Sequence, residues 1–455
     1  MDFDIPCDTV ITNICTDTRQ MQKDSIFIAL CGENYDGHEF VPEALANGAV
    51  LAVASKPQGE NFPVIYVKDT VKAFGLLAKH YRNSFDLKLV GITGSVGKTS
   101  TKEMIFAVLA VKYKTFKTKA NLNNEIGVPK TIFELNNSYD TAVIEMGMSN
   151  LGEISRLSQI TNPQVGVVTN IGVSHIENLK SREGILQAKL EISDGMEKGT
   201  PLILNGDNDM LTVEKISKIR PNILDKHPVI YFGINNQNCD ITAQNISCET
   251  ICDENNEYIW RTNFFITYKN IQYKACIPCV GEHNIYNALA AFGVGISLGL
   301  TPQEIITGYN NYKTVGARLN IIQKDNIIII DDCYNSSPDS VKAALSVMQK
   351  IAKGRKIAIL GDMLELGKMS EELHLQTGKN TAEYDADIVI CQGEQAKHIA
   401  NGAKQKGIES HWFETQKEVV NFLHKTITPK DTILFKASRG MKFELIIEDV
   451  FLNKK

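Results

Sequence analysis

The stretch "GITGSVGKTSTKEM" (residues 91–104) ends an apolar run and opens a helical pattern, and its reading decides the fold. A strand end, a glycine turn, then Gly97-Lys98-Thr99 at the start of a helix are the parts of a phosphate-binding loop: converging backbone N–H groups, a lysine for the phosphates, and a hydroxyl for a cation. The spacing departs from G-x-x-x-x-G-K-[ST], because the leading glycine falls where the chain has Ile92. Gly91 and Gly94 flank that position, so the loop is reshaped while its chemistry stays intact.

Composition sets bounds around this loop. At 455 residues the chain is too long for one core, and two or three domains are expected. With 43% hydrophobic and 22% charged residues and a formal net charge of −5, it is expected to be soluble, with no electrostatic reason to bind nucleic acid or an anionic membrane. The opening "MDFDIPCDTVITN" does not read as a secretory signal, and no apolar run is long enough to span a bilayer. Ten irregularly spaced cysteines point to reduced thiols and a cytoplasmic location. Cys248, Cys252, Cys276 and Cys279 could bind zinc, but their spacing fits no common knuckle, and they read as small buried hydrophobes in strands.

Three α/β units follow from the pattern. Residues 1–85 alternate short strands ("SIFIAL", "AVLAVAS") with helices, a small N-terminal unit. Residues 86–312 carry buried-type strands at "TAVIEMG", "QVGVVTNIG" and "PLILNGD", the signature of a central, mostly parallel sheet, with a few antiparallel strands near 239–280. Residues 313–455 place "NIIIIDD", "KIAILGD", "DIVICQG" and "TILFKAS" before amphipathic helices, a doubly wound, Rossmann-like unit. Its polar residues Asp332, Asp362, Gly393 and Ser438 fall at strand C-terminal ends, the edge where such sheets bind ligands.

A hard cation on ATP needs oxygen donors, and Glu145 stands where a buried strand runs out. His175, just beyond another strand, reads equally as a ligand or as an ordinary polar loop residue. Lys189, on the next helix, reads as a solvated lysine.

Together these residues resemble the Mur ligases, ATP-dependent amide-forming enzymes whose nucleotide loop is the shorter T-G-[ST]-x-G-K-[ST]. "TGSVGKT" matches that form, which accounts for Ile92. The resemblance runs along the whole chain: "TDTR", "GENYDGHEFVPEALANGA", "NLNNEIGVP", "VIEMGMS", "TNIGVSHIENL", "AKLEI", "GEHNIYNALAA", "DDCYNSSPDS" and "LGDMLELG". The last two look like the branch that adds a terminal dipeptide, and the "DNPR"-type signature of the diaminopimelate-adding branch is absent.

The resemblance implies residue roles. Gly94, Ser95, Val96, Gly97, Lys98, Thr99 and Ser100 would surround the phosphates of ATP, with Thr99 and Glu145 on a first Mg²⁺. His175 would serve a second Mg²⁺, and Lys189 matches a lysine that CO₂ carbamylates into a carboxylate-like group able to approach Mg²⁺, which reverses its reading as a solvated residue. Asn284 and Asn287, one helical turn apart, would face adenine, with a helix N-cap as the alternative for Asn284. Arg318 would reach the phosphates on domain closure. Asp332, Tyr334, Asn335 and Ser438 would contact nucleotide or incoming dipeptide, although Asp332 could also cap a turn. Asp17, Arg19, Asp36 and His38 would lie near a uridine nucleotide, and Asn121 and Asn124 near substrate. Ala120 replaces a glycine frequent in the family; a positive φ there would cost about 1 kcal/mol. The basic run "KYKTFKTK" reads as a solvated strand face.

The implied reaction joins D-alanyl-D-alanine to a UDP-N-acetylmuramoyl-tripeptide through an acyl phosphate, in a monomeric enzyme. The alternatives are a third-residue-adding ligase, a folylpolyglutamate synthase-like ligase, and a non-enzymatic nucleotide-binding scaffold.

Overall fold

The computed structural model describes residues 9–32, 35–58, 62–252 and 258–452; the opening residues read for a signal lie partly outside these. Among the described residues three sheets follow one another along the chain. The first has four parallel strands in sequential order, Asn13–Cys15, Ser25–Ile28, Ala49–Ala54 and Val64–Tyr66. Its helix Thr70–Arg82 starts at Asp69, whose carboxylate accepts the Lys72 N–H (3.0 Å), and packs Phe74 and Ala78 inward.

The second sheet has nine strands. Lys88–Thr93 sits between Thr141–Glu145 and Val165–Val168, all parallel, so the loop after it opens where chain connections diverge to either side. The chain then adds Leu202–Asn205 and Val229–Gly233, and ends in the antiparallel strands Ile241–Cys252, Tyr258–Tyr268 and Ile271–Ile277. Strands such as "TAVIE" are buried at every residue because helices cover both faces. Of the cysteines weighed for zinc, Cys248 is exposed, Cys276 half-buried and Cys279 buried, and they form no metal-type group among the described residues. The Cys252 side chain lies outside the described residues.

The third sheet has six strands. Ile327–Asp331, Lys356–Gly361, Ile388–Gln392, Glu409–Phe413 and Thr432–Lys436 run parallel, and Asn320–Lys324 is an antiparallel edge. Helices again lie on both faces, with Leu345 and Val389 in one core and Ile359 and Phe435 in the other. No helix among the described residues is long and apolar enough to cross a membrane.

The first two sheets are joined through a buried arginine. Arg82 is 4% exposed and donates to the carbonyls of Thr161 (3.0 Å), Phe85 (3.0 Å) and Leu87 (3.1 Å). Arg82→Ala leaves these buried acceptors without a donor, and should destabilise the protein by about 2 kcal/mol or more. A urea titration followed by circular dichroism measures this loss.

Candidate active site

Strand Lys88–Thr93 delivers the loop to the mouth of a cleft of about 710 Å³, a size suited to a nucleotide and part of a second substrate. A Cβ at Gly94 would fall 1.9 Å from the Thr169 hydroxyl oxygen, so glycine is required for the loop to lie against the neighbouring strand end. Thr169 Oγ1 donates to the Val96 carbonyl (2.7 Å), and the Asn170 side-chain oxygen accepts the Val96 N–H (3.0 Å). Gly97, at φ 83, precedes helix Lys98–Leu109, and no side chain caps that helix. Its first-turn N–H groups therefore remain for an anion. Lys98 folds back so that Nζ donates to the Gly94 carbonyl (2.8 Å), while burial depresses its pKa. The hydroxyl of Ser95 braces the loop: Ser95 Oγ accepts the Gly172 N–H (2.9 Å).

Glu145 ends its strand buried at 2% exposure. Its Oε2 accepts from Thr99 Oγ1 (2.9 Å) and its Oε1 from Asn123 Nδ2 (2.9 Å), with the buried Lys102 Nζ at 3.7 Å. A hydroxyl and a carboxylate converging at a phosphate loop are the hard oxygen donors Mg²⁺ takes, so these residues fit the ion. His175, at φ 63, lines the same cleft, and its Nδ1 lies 2.7 Å from Glu365 Oε2 of the third sheet unit. Lys189 is 1% exposed, not solvated as its sequence setting suggests. Burial, then the neighbouring cation Lys98, pushes its pKa well below the ordinary lysine value.

Asn284 and Asn287 lie together on helix Glu282–Ser297 at the cleft wall. Gly281 holds the N-cap position instead of Asn284, whose Nδ2 donates to the Val280 carbonyl (2.8 Å). Asn287 donates to Asn284 Oδ1 (3.1 Å) and accepts from Thr101 Oγ1 (2.8 Å).

From the third unit, Arg318 stacks over the Tyr334 ring, 3.9 Å from its centroid. Asp332 is buried, which raises its pKa; Oδ2 accepts from Lys436 Nζ (2.5 Å) and Oδ1 from the Leu319 N–H (3.2 Å). The adjacent turn is capped by Asp331, whose carboxylate accepts the Cys333 N–H (3.2 Å). Lys436 also donates to the Asn335 carbonyl (2.9 Å).

The cleft thus gathers the loop, Glu145, His175, the two asparagines, Arg318, Asp332, Tyr334 and Asn335, together with Asn124. Asn124 Oδ1 accepts the Gly127 N–H (2.8 Å), and Asn121 lies exposed outside the lining. Ser438 lies outside it too, with Oγ accepting the Leu364 N–H (3.0 Å). Asp17, Arg19, Asp36 and His38 belong to the first sheet unit, apart from this lining. There Asp17 holds Arg19 through Nε (2.8 Å) and Nη2 (2.7 Å), while Asp36 accepts from His38 Nδ1 (2.6 Å). Asn123, Lys102 and Lys436 escaped the sequence reading. Lys436 carried a usable signal, a charge closing an apolar strand, as at Glu145.

Three family models match: the Mur ligase family catalytic domain over residues 10–82, the Mur ligase middle domain over 92–295, and the Mur ligase glutamate ligase domain over 317–439. The UDP-N-acetylmuramoyl-tripeptide–D-alanyl-D-alanine ligase of Bacillus subtilis is 40% identical over 450 residues, covering 97% of this chain and 93% of that one. The chain belongs to the Mur ligase family. Among solved structures, MurF from Acinetobacter baumannii is 32% identical with a TM-score of 0.88, covering 98% of this Mur ligase and 94% of that chain. MurF from Thermotoga maritima, solved in complex with ADP, is 27% identical with a TM-score of 0.84, covering 97% and 98% of the two chains.

The cleft of this Mur ligase also contains a depressed histidine. Burial, with Lys436 and Lys350 nearby, pushes the His283 imidazole down to about 4. An unfolded histidine titrates near 6.5, so between these values the unfolded chain binds the extra proton. Stability should therefore fall as pH drops from about 6.5 toward 4. Melting temperatures across that range should decline less steeply in His283→Gln than in the parent.

Proposed function

We infer that the protein joins D-alanyl-D-alanine to the terminal carboxylate of a UDP-N-acetylmuramoyl-tripeptide with cleavage of ATP, in peptidoglycan precursor synthesis for the growing cell wall. The observation that carries this reading is the single cleft in which a phosphate loop, an oxygen-donor cation site and the strand ends of the third sheet meet. It agrees with the full-length likeness to the tripeptide–dipeptide ligases. The cytoplasm is the proposed location, where ATP is available and the thiols stay reduced.

A carboxylate resists attack by an amine, so it must first be activated. A carboxylate oxygen of the tripeptide attacks the γ-phosphorus of ATP, the β–γ bridging bond breaks, and ADP leaves. The dipeptide's neutral amine then attacks the acyl carbon of the resulting acyl phosphate, the carbon–oxygen bond to phosphate breaks, and inorganic phosphate leaves with the proton the amine gives up as the amide forms. Lys98 and the first-turn N–H groups hold the phosphates, and Arg318, on the third unit, adds charge from the opposite wall. Thr99 and Glu145 would hold one Mg²⁺, and His175 a second. Mg²⁺, when bound, screens the charge that builds on the transferred phosphoryl group. Asn284 and Asn287 offer amide groups to adenine. Asp332 and Lys436 fix the loop carrying Tyr334 and Asn335, which faces the incoming dipeptide. The first sheet unit, with Asp17, Arg19, Asp36 and His38, takes the uridine end of the acceptor.

Lys189 supports its own carbamylation. Burial disfavours the ammonium form of this amine, and a free amine is nucleophilic toward CO₂; adding CO₂ and losing a proton gives a carbamate anion beside the cation Lys98. Intact-protein mass spectrometry under gentle conditions should find one CO₂ increment that Lys189→Ala lacks. That variant should lose about 100-fold or more in turnover and regain part of it with added short carboxylic acids.

Purified enzyme should release ADP and phosphate only when both UDP-tripeptide and D-alanyl-D-alanine are present. Release with diaminopimelate, lysine or glutamate and the matching precursor, but not with the dipeptide, would overturn the assignment. Lys98→Met and Glu145→Gln should each lower kcat by about 100-fold or more, measured in the same ADP-release assay.

A further inference from the structure

We propose that Glu365 is a positioning residue that reaches from the third sheet unit to His175 and fixes its imidazole, so that this cation ligand is complete only when the third unit is docked on the central one. The proposal rests on the assignment of His175 as a cation ligand made above. A histidine that binds a metal through one ring nitrogen ordinarily donates its other N–H to a carboxylate or carbonyl, which sets the tautomer and raises ligand basicity. Here Nδ1 of His175 is 2.7 Å from Glu365 Oε2. A proton carried on Nδ1, the nitrogen nearest the carboxylate, leaves Nε2 with the lone pair a cation takes.

The backbone at both ends is specialised for this contact. His175 (φ 63) and Glu365 (φ 66) both occupy the left-handed region, which non-glycine residues adopt at a cost in backbone strain. Two residues on, Gly367 (φ 51) lies so close to helix Ile176–Leu179 that a Cβ would stand 3.0 Å from Glu177 Cγ and 3.4 Å from its Cα. The loop is therefore seated directly against the turn that carries His175. The Glu365 side chain is 61% exposed, so it fills no core and its replacement opens no cavity.

The test is Mn²⁺ binding to the full-length enzyme with the β,γ-imido analogue of ATP, counted by electron paramagnetic resonance. Wild type should bind two ions. Glu365→Ala should weaken the second by about 10- to 100-fold and leave the first unchanged, and Glu365→Gln, which retains an acceptor oxygen, should recover part of the loss. Second-ion affinity equal to wild type in Glu365→Ala, alongside its loss in His175→Ala, would overturn the latch while sparing the cation assignment. Two ions retained in His175→Ala would remove the cation assignment itself, and the latch with it.

Discussion

A carboxylate buried at the end of a central strand governs much of this molecule. At 2% exposure the Glu145 carboxylate is met by Thr99, Asn123 and Lys102, drawn from two segments of the chain. Thr99 and Lys102 lie on the helix after the phosphate loop. Asn123 follows Ala120, whose φ of 47 turns the chain toward the strand end. The Glu145 N–H is itself held by Thr118 Oγ1 (3.0 Å), and Lys102 Nζ donates to the Thr118 carbonyl (2.8 Å). Loop, helix and strand end thus share one network. Any shift of the loop therefore disturbs the carboxylate, and the two move together.

A second buried charge organises the opposite wall. Asp332 and Lys436 close adjacent parallel strands of the third sheet and neutralise each other. Their pairing draws in the Asn335 carbonyl and the Leu319 N–H, fixing the segments that bear Tyr334 and Arg318. Both walls follow one rule: a charge at the C-terminal end of an apolar strand is tolerated where it orders the loops around the ligand.

That rule explains what the sequence made legible. Apolar runs closed by glycine or charge marked the central strands, and the loop glycines together with Glu145 marked the nucleotide end. The edge strand Asn320–Lys324 and the strand Glu409–Phe413 were missed because neither is an apolar run; "ESHWF" alternates among partly exposed residues. Lys189 was misread from local pattern, since its burial comes from tertiary packing around a short helix and not from anything in its own turn. Lys102 and Asn123 left no sequence signal, because their roles depend on where Glu145 arrives in space. The link from His175 to Glu365 spans two sheet units, and no local window contains both.

The antiparallel end of the central sheet has its own consequence. Trp260, on strand Tyr258–Tyr268, is 9% exposed and packs into a core built mainly from the third sheet, beside Tyr258, whose carbonyl accepts from Gln323 Nε2 (3.2 Å). The chain has two tryptophans, and the other, Trp412, is 44% exposed on the strand Glu409–Phe413. Separation of the two units would wet one indole and leave the other in water as before. The protein therefore carries an intrinsic optical gauge of its own opening, readable from tryptophan emission without any label.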